Sequence, residues 1–182
     1  DAMFLPFGTL CRILERLNEK FPHLARVTMY ANGSSILKKT EEALERLHKL
    51  KLSIVYMGLE SGNEEVLRLV HKDDTAAHMA EALQRVQSCG IKASVMILAG
   101  MGGCRFSGEH VRDTVGILNR MQPKILSLLR FIEVPGLKMY DGYETLSEYD
   151  SVREMRDILA GLELESTVFR ANHPSVPFPL EG

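Results

Sequence analysis

Apolar residues along the chain recur with two different spacings. Stretches in which they lie three and four positions apart predict helices over residues 8–21, 40–51, 64–70, 74–89, 107–122 and 147–162. Short apolar runs between these stretches predict strands over residues 26–30, 52–59, 92–99, 124–134 and 166–171. The segment 31–35 and the proline-rich tail from His173 are predicted to be irregular. The pattern therefore predicts strands and helices that alternate along the chain.

The spacing of these units indicates a parallel sheet. They begin about 30 residues apart, which is the size of a crossover between two parallel strands. The run Val95–Leu98 is apolar at every position, as in strands buried on both faces. A doubly wound sheet and a barrel both fit this order. In either fold ligands bind beyond the carboxyl ends of the strands, which here are Asn32, Glu60, Gly100–Gly103 and Glu133.

The composition is that of one globular domain and argues against several classes of protein. The chain has 182 residues, of which 45% are hydrophobic, and this is enough to bury a core. The formal net charge is -2 and no lysine or arginine block occurs, so nucleic-acid or membrane binding through charge is not expected. No apolar run approaches the ~20 residues that cross a bilayer. Cys11, Cys89 and Cys104 form no disulfide framework and no zinc-type pair, which favours a reducing, cytoplasmic setting.

Two charged residues near the strand ends are candidates for ligand binding. The carboxylate of Glu60 can accept hydrogen bonds from two adjacent hydroxyls, such as those of a ribose, or it can cap the helix that follows. Lys72 can hold a carboxylate or a phosphate, or it can be a surface lysine that Asp73 and Asp74 partly neutralise. The residue types alone leave both alternatives open.

The glycine run after the third strand, Gly100–Gly103, is a weaker signal. Glycine lets a backbone approach a ligand closely. The run does not match GxGxxG, because Arg105 occupies the third glycine position, and it lacks the lysine of a P-loop. A tight turn from strand to helix is the simpler interpretation, with Ser107 as the cap of the next helix.

Several stretches, taken together, resemble one family. They are Tyr30–Ile36, Tyr56–Gly62 with Glu65–Arg68, Val95–Gly103, Glu133–Tyr140 and the ending Phe169–Ser175. The chain resembles the radical S-adenosylmethionine (SAM) superfamily, in the branch of oxygen-independent coproporphyrinogen oxidase and iron–sulfur oxidoreductases of unassigned substrate. The resemblance implies an α/β fold, a partial (β/α)6 TIM-like barrel of parallel strands with outer helices. It also implies a single domain, 1–182, with barrel units over about 1–145 and a C-terminal helix and tail over 146–182.

The resemblance implies two cofactors. In this family a CxxxCxxC loop holds a 4Fe–4S cluster, and an electron donor drives the cleavage of SAM to a 5′-deoxyadenosyl radical that attacks the substrate. This chain contains no CxxxCxxC, so the cluster ligands and the first βα units are expected upstream, and these residues alone are expected to be inactive. The alternatives are a non-catalytic α/β binding or interaction module, and a nucleotide-binding domain with phosphate on Gly100–Gly103.

The resemblance also implies a set of residues that bind SAM: Asp1, Asn32, Glu60, Lys72, Met96, Ile97 and Gly100. Glu60 would hold the ribose and Lys72 the carboxylate, while the strand Met96–Leu98 and Gly100 would pack along the adenosyl group. Asp1 would meet the SAM amino group. No catalytic or metal-binding residue is expected in this chain. The hypothesis requires the carboxylate that ends the second strand and the glycines that end the third to face a common pocket.

Overall fold

Six strands form one sheet in the order in which they occur along the chain. The computed structural model describes residues 1–134, 136 and 139–182. The first five strands are parallel and the sixth is antiparallel to the fifth: β1 Val27–Tyr30, β2 Leu52–Glu60, β3 Lys92–Ala99, β4 Ile125–Arg130, β5 Val168–Ala171 and β6 Leu180–Glu181. An order without reversal is that of a barrel, whereas a doubly wound sheet reverses at its switch point. The strand order thus favours the barrel alternative.

The described residues form seven α-helices, of which the first precedes β1 and the others lie between strands: α1 Phe7–Lys20, α2 Gly33–Leu37, α3 Glu41–Lys49, α4 Glu64–Leu69, α5 Ala76–Ser88, α6 Gly103–Met121 and α7 Glu148–Gly161. A short 3-10 turn, Ala2–Phe4, precedes them. Thr40 and Thr75 cap α3 and α5 through side chains that accept from backbone amides. None of the helices in the described part of the chain is long and apolar enough to cross a bilayer.

The two faces of the sheet differ in burial. Val55, Met57 and Leu59 of β2 are fully buried and belong to the core, and Val95 and Ile97 of β3 are buried in the same way. The alternate residues of both strands are partly exposed in most positions, because side chains of a strand point to opposite faces in turn. The helices therefore cover one face, and the other face remains accessible.

The structure corrects four of the predicted boundaries. The segment predicted as a turn at 31–35 continues into α2, a helix too short for periodicity to reveal. Helix α6 begins at Gly103, and not after Ser107, because the exposed Cys104 and Arg105 in its first turn give no apolar period. Strand β4 ends at Arg130 and not at 134, and the tail predicted as irregular contributes β6. Pro135, Leu137 and Lys138, part of one stretch quoted above, lie outside the described residues.

Gly62 lets α6 approach the end of β2. A Cβ atom at Gly62 would lie 2.4 Å from the carbonyl oxygen of Asp113 and 2.5 Å from Cα of Thr114. These are backbone atoms of α6, which cannot rotate away. The Gly62 amide also donates to the Thr114 hydroxyl at 2.8 Å. The glycine thus sets the distance between β2 and a helix that follows more than 40 residues later.

We expect the substitution Gly62→Ala to destabilise the fold by about 1–3 kcal/mol, the usual range for overpacking. The matched control is Gly116→Ala, an exposed position of α6 where a Cβ would meet nothing within 4 Å. The control should be neutral or should stabilise by about 0.5–1 kcal/mol, because glycine is a poor residue inside a helix. Urea unfolding of the two variants measures the difference, and equal stabilities would contradict this account of Gly62.

Candidate functional site

A cleft of about 550 Å³ opens at the carboxyl ends of the first three strands. Asn32, Glu60 and Lys72, three of the residues singled out in the sequence, line it. Leu98 and Met101, at the end of β3 and in the glycine run, line the opposite side. The acid that ends β2 and the segment that follows β3 therefore share one cleft.

An irregularity in β2 determines where the carboxylate of Glu60 lies. Gly58 pairs with Met96 of β3, but Glu60 pairs with Ile97, so one additional residue of β2 is bulged out of the ladder. Glu60 itself has a φ of 62°, in the left-handed region that a residue with a Cβ rarely adopts. Such a conformation costs of the order of 1–3 kcal/mol and is concentrated at functional sites. The strain makes Glu60 a candidate for function beyond helix capping.

Gly58 provides the space that this carboxylate occupies. A Cβ atom at Gly58 would lie only 2.1 Å from Oε1 of Glu60 and 3.5 Å from Nζ of Lys72. The Glu60 side chain thus folds back along the accessible face of the sheet. There its Oε1 lies 3.4 Å from Lys72 Nζ, and each side chain is about a quarter exposed. A pair this accessible contributes about 0–1 kcal/mol, so a ligand can replace it at little cost.

The segment after α4 carries Lys72 back over the end of β2. The amide of Lys72 donates to the carbonyl of Leu67 at 2.9 Å, and His71 has a φ of 55°, which reverses the chain. Asp74, only 3% exposed, then accepts hydrogen bonds from the Ser34 amide at 3.0 and 3.1 Å. This buried carboxylate fixes the lysine segment to α2.

Asn32 and Asp1 lie together at the end of β1. The side chain of Asn32 caps α2 by accepting from the Ser35 amide at 2.9 Å. The Asp1 carboxylate accepts from the Asn32 amide at 2.9 Å and from the Ser35 hydroxyl at 2.8 Å. Asn32 borders the cleft, whereas the carboxylate of Asp1 has donors of the protein itself on both oxygens, the second being the Met3 amide.

The predicted residues of β3 and its loop have different surroundings. Met96 pairs with Gly58 and is partly exposed, so it lies on the accessible face below the cleft. Ile97 is fully buried in the core and its side chain lies on the other face. The residue of β3 that borders the cleft is Leu98, and Gly100 holds the turn that follows with a φ of 85°.

The backbone groups of the glycine run are already hydrogen-bonded to other parts of the protein. The Gly100 amide donates to Glu154 and its carbonyl accepts from the Tyr143 hydroxyl at 3.0 Å. Burial raises the pKa of Tyr143 to about 12, so this hydroxyl keeps its proton and donates. The amides of Gly103 and Cys104 donate to the carbonyls of Gly100 and Glu144. These amides are not available to a phosphate, which argues against the nucleotide-binding alternative.

A buried polar cluster beneath the cleft has no counterpart in the sequence interpretation. His110 of α6 is fully buried, and its Nδ1 lies 2.8 Å from the Ser61 hydroxyl, the residue next to Glu60. Glu154 of α7 is 3% exposed and accepts from the Gly100 amide and the Ser107 hydroxyl. A signal for Glu154 existed, because it follows Ser151 at the spacing of the buried face of α7.

Burial shifts both ionisable groups of this cluster towards their neutral forms. Loss of water lowers the pKa of His110 to about 4, against smaller opposing effects of the Leu98 carbonyl and the Asp113 carboxylate. Burial also raises the pKa of Glu154, although hydrogen bonds from Ser107 and Gly100 act in the other direction. His110 is therefore uncharged at neutral pH.

The residues of this chain do not suit an iron–sulfur cluster. Within the ranges 1–134 and 139–182, no group of three or more His, Cys, Asp or Glu side chains is arranged to hold a metal ion. The cysteines occur in three separate places: Cys11 lies within α1, Cys89 follows α5 and Cys104 lies in the first turn of α6. No reaction step through a cluster can be derived from these residues.

Comparison with known proteins gives one family and a set of similar folds. The family model described as the radical SAM superfamily matches residues 3–116. No curated protein sequence matches the chain. Coproporphyrinogen III oxidase from Escherichia coli, a radical SAM enzyme, is similar in structure with a TM-score of 0.71 and 16% identity, over 86% of this chain and 36% of that one. The archaeal Elp3 of Methanocaldococcus infernus has a TM-score of 0.70 and 14% identity, over 93% and 45%.

A third solved structure extends the comparison. The FeFe-hydrogenase maturase HydG from Carboxydothermus hydrogenoformans has a TM-score of 0.56 and 21% identity, over 88% of this chain and 39% of that one. The chain thus spans less than half the length of these three structures. At such identities the likeness shows the fold alone. It confirms the predicted fold class, α/β with the parallel strands and outer helices of a partial TIM-like barrel.

The neutral His110 makes stability depend on pH. Its pKa is about 4 in the folded chain and 6.5 ordinarily, so the unfolded chain binds a proton first as the pH falls. The stability that the neutral His110 contributes is fully present above pH 6.5 and is lost as the pH falls towards 4. We expect the unfolding free energy to fall by about 2 kcal/mol between pH 7.5 and 5 from this residue.

Urea unfolding at the two pH values, in the wild-type chain and in His110→Gln, isolates that contribution, because all other groups are common to both. The control variant is His23→Gln, which changes an exposed histidine. It should retain the pH dependence of the wild type. A wild-type chain whose pH dependence equals that of His110→Gln would show that His110 is not buried in its neutral form.

Proposed function

Because the chain belongs to the radical SAM superfamily, we propose that it forms the SAM-binding part of an iron–sulfur oxidoreductase that cleaves SAM reductively to a 5′-deoxyadenosyl radical. Members of this superfamily use SAM and a 4Fe–4S cluster, as the resemblance in the sequence implied. The cluster, when bound, supplies the electron that breaks the carbon–sulfur bond of SAM. The parts played by residues of this chain are to bind and orient the adenosyl group.

One observation supports the proposal above the others: Glu60 is held in a strained conformation with its carboxylate 3.4 Å from Lys72 Nζ inside the cleft. We assign Glu60 to the two ribose hydroxyls, since an ionised carboxylate offers two acceptor oxygens to two adjacent donors. We assign Lys72 to the carboxylate of SAM, as a point charge on a flexible stem. A ligand that carries both groups would replace the ion pair with two charge-assisted contacts.

The remaining predicted residues are assigned to the surroundings of the adenosyl group. Leu98 and Met101 border the cleft and provide apolar contact for an adenine ring, with Met96 below them. Gly100 contributes through the shape of its turn. Ile97 contributes only its backbone, and Asn32 forms part of the wall of the cleft. Asp1 is assigned to the region of the amino group, where its carboxylate would exchange a protein donor for the ligand.

Several parts of the full reaction lie beyond these residues. We propose that the cluster ligands and the first βα units come from sequence outside 1–182, and that an electron donor and a substrate of unassigned identity complete the reaction. The three cysteines are all free, which supports work in a reducing, cytoplasmic setting. The continuous sheet over 27–181 supports a single domain over 1–182. Strands β5 and β6 lie in 146–182, so that part contributes more than a helix and tail.

Removal of the Glu60 charge should weaken the binding of SAM. Hydrogen bonds to a charged group are worth about 1.5–3 kcal/mol, so Glu60→Gln is expected to raise the dissociation constant about 10- to 100-fold. Gly58→Ala should act similarly, because the new methyl group must push the flexible Glu60 carboxylate aside without disturbing the backbone. Gly116→Ala is the matched control and should leave the affinity unchanged. NMR titration of the chain with SAM measures all four proteins, and equal affinities would exclude Glu60 from the site.

The activity itself requires a form of the protein that includes a CxxxCxxC segment. After anaerobic reconstitution and reduction, we expect 5′-deoxyadenosine to form from SAM and to be detected by chromatography. The Lys72→Met variant should form it at a lower rate at limiting SAM, and at a rate closer to the wild type when SAM is saturating. An intact, reduced cluster that yields no 5′-deoxyadenosine would contradict the enzymatic proposal and favour a non-catalytic binding module.

A further inference from the structure

The buried cluster beneath the cleft contacts the two strand ends that border it. At the end of β2, the Ser61 hydroxyl accepts from the Asn63 amide at 3.0 Å and lies 2.8 Å from His110 Nδ1. At the end of β3, the Gly100 amide donates to Oε1 of Glu154. Nε2 of His110 lies 3.8 Å from that same carboxylate oxygen, which is beyond hydrogen-bond distance, and it has no hydrogen-bond partner among the described residues.

Nothing in the fold requires a carboxylate at this position. The neighbours of Glu154 on the buried face of α7 are Ser151, Met155 and Ile158, and the latter two belong to the hydrophobic core. A buried carboxylate is costly unless donors surround it, and a well-packed apolar residue is often as stable. The donors that Glu154 does have belong to Gly100 and to Ser107, in the segment that forms one side of the cleft. The charge is therefore placed where it orders the segment after β3.

We propose that Glu154 is a positioning residue for the adenosyl cofactor: by accepting from the Gly100 amide, it fixes the turn that follows β3 on one side of the cleft. This inference rests on the proposed function. Glu154 does not border the cleft and so does not contact the ligand in this structure. It accepts a hydrogen bond from the Gly100 amide, and the Tyr143 hydroxyl donates to the carbonyl of the same residue. With both groups held, the turn after Leu98 is fixed before a ligand binds.

Amide hydrogen exchange tests the first part of the inference, without any ligand. In Glu154→Ala the Gly100 amide loses its acceptor, and we expect its exchange to become about tenfold faster, which corresponds to one lost hydrogen bond. Glu154→Gln retains an acceptor oxygen of the same reach and should restore the rate to within about threefold of the wild type. Glu109→Ala changes an exposed glutamate one residue from His110 and should leave the exchange unchanged.

Titration of the same variants with SAM tests the second part. We expect Glu154→Ala to weaken binding about tenfold and Glu154→Gln to recover most of the affinity. The variant Ile158→Val lowers stability from the same buried face of α7 but removes no hydrogen bond to Gly100, so its affinity should equal that of the wild type. If Ile158→Val weakens binding as much as Glu154→Ala, the effect is one of stability and the inference is wrong.

The possible failures can be told apart. A wild-type chain that does not bind SAM contradicts the proposed function, and the exchange of the Gly100 amide then decides whether Glu154 orders the turn. A wild-type chain that binds, with Glu154→Ala unchanged in affinity, overturns the inference and leaves the proposed function in place. If Glu154→Ala does not fold, two other variants decide. The inference is supported if Glu154→Gln binds SAM within threefold of the wild type and Ser107→Ala, which removes the second donor to Glu154, binds it more weakly. Equal affinity in Ser107→Ala would overturn it.

Discussion

The cleft depends on a single bulge at the end of β2. The additional residue between Gly58 and Glu60 turns the backbone into a left-handed conformation, and the carboxylate then folds back over a position that has no side chain. Without the bulge, the ladder with β3 would continue in register and Glu60 would project from the strand end. A regular strand cannot aim a charged side chain back along its own face. The strained glutamate therefore needs the glycine beside it for space, and its carboxylate lies against the nearby lysine.

The other side of the cleft depends on residues from the last third of the chain. Gly100 is held by Tyr143 and Glu154, and the Tyr140 hydroxyl donates to the carbonyl of Gly102 at 2.7 Å. The family model matches residues 3–116, so these supporting groups lie beyond the part of the chain that it describes. With the exception of Met139, the residues that line the cleft lie within the first 116, while the later residues keep one of its sides in place. Loss of water around Glu154 and Tyr143 strengthens their hydrogen bonds, since a low dielectric favours such contacts.

Much of the fold and part of the site could be predicted from the sequence. Strands β2 and β3 and the caps of α3 and α5 have local signals: apolar runs in the former and threonines before helices in the latter. Glu60 was found because a charge at an apolar strand end is unusual, and Lys72 because the family resemblance implies a basic residue at its position. Helix α2 was missed because five residues contain little more than one turn, and β6 because two residues contain no period. For Ile97, the sequence indicated that both faces of β3 are apolar but not which side chain faces the cleft.

The sequence by itself determined the alternation of strands and helices, the class of fold and the family, because periodicity and motifs are properties of neighbouring residues. Only the tertiary structure decided that Glu60 and Lys72 form a pair, that Gly100 is held by Glu154, and that His110 is uncharged. These facts depend on contacts between residues as much as 54 positions apart and on the removal of water around them. A distance in space and the loss of solvent arise only when the chain has folded, so no local pattern records them.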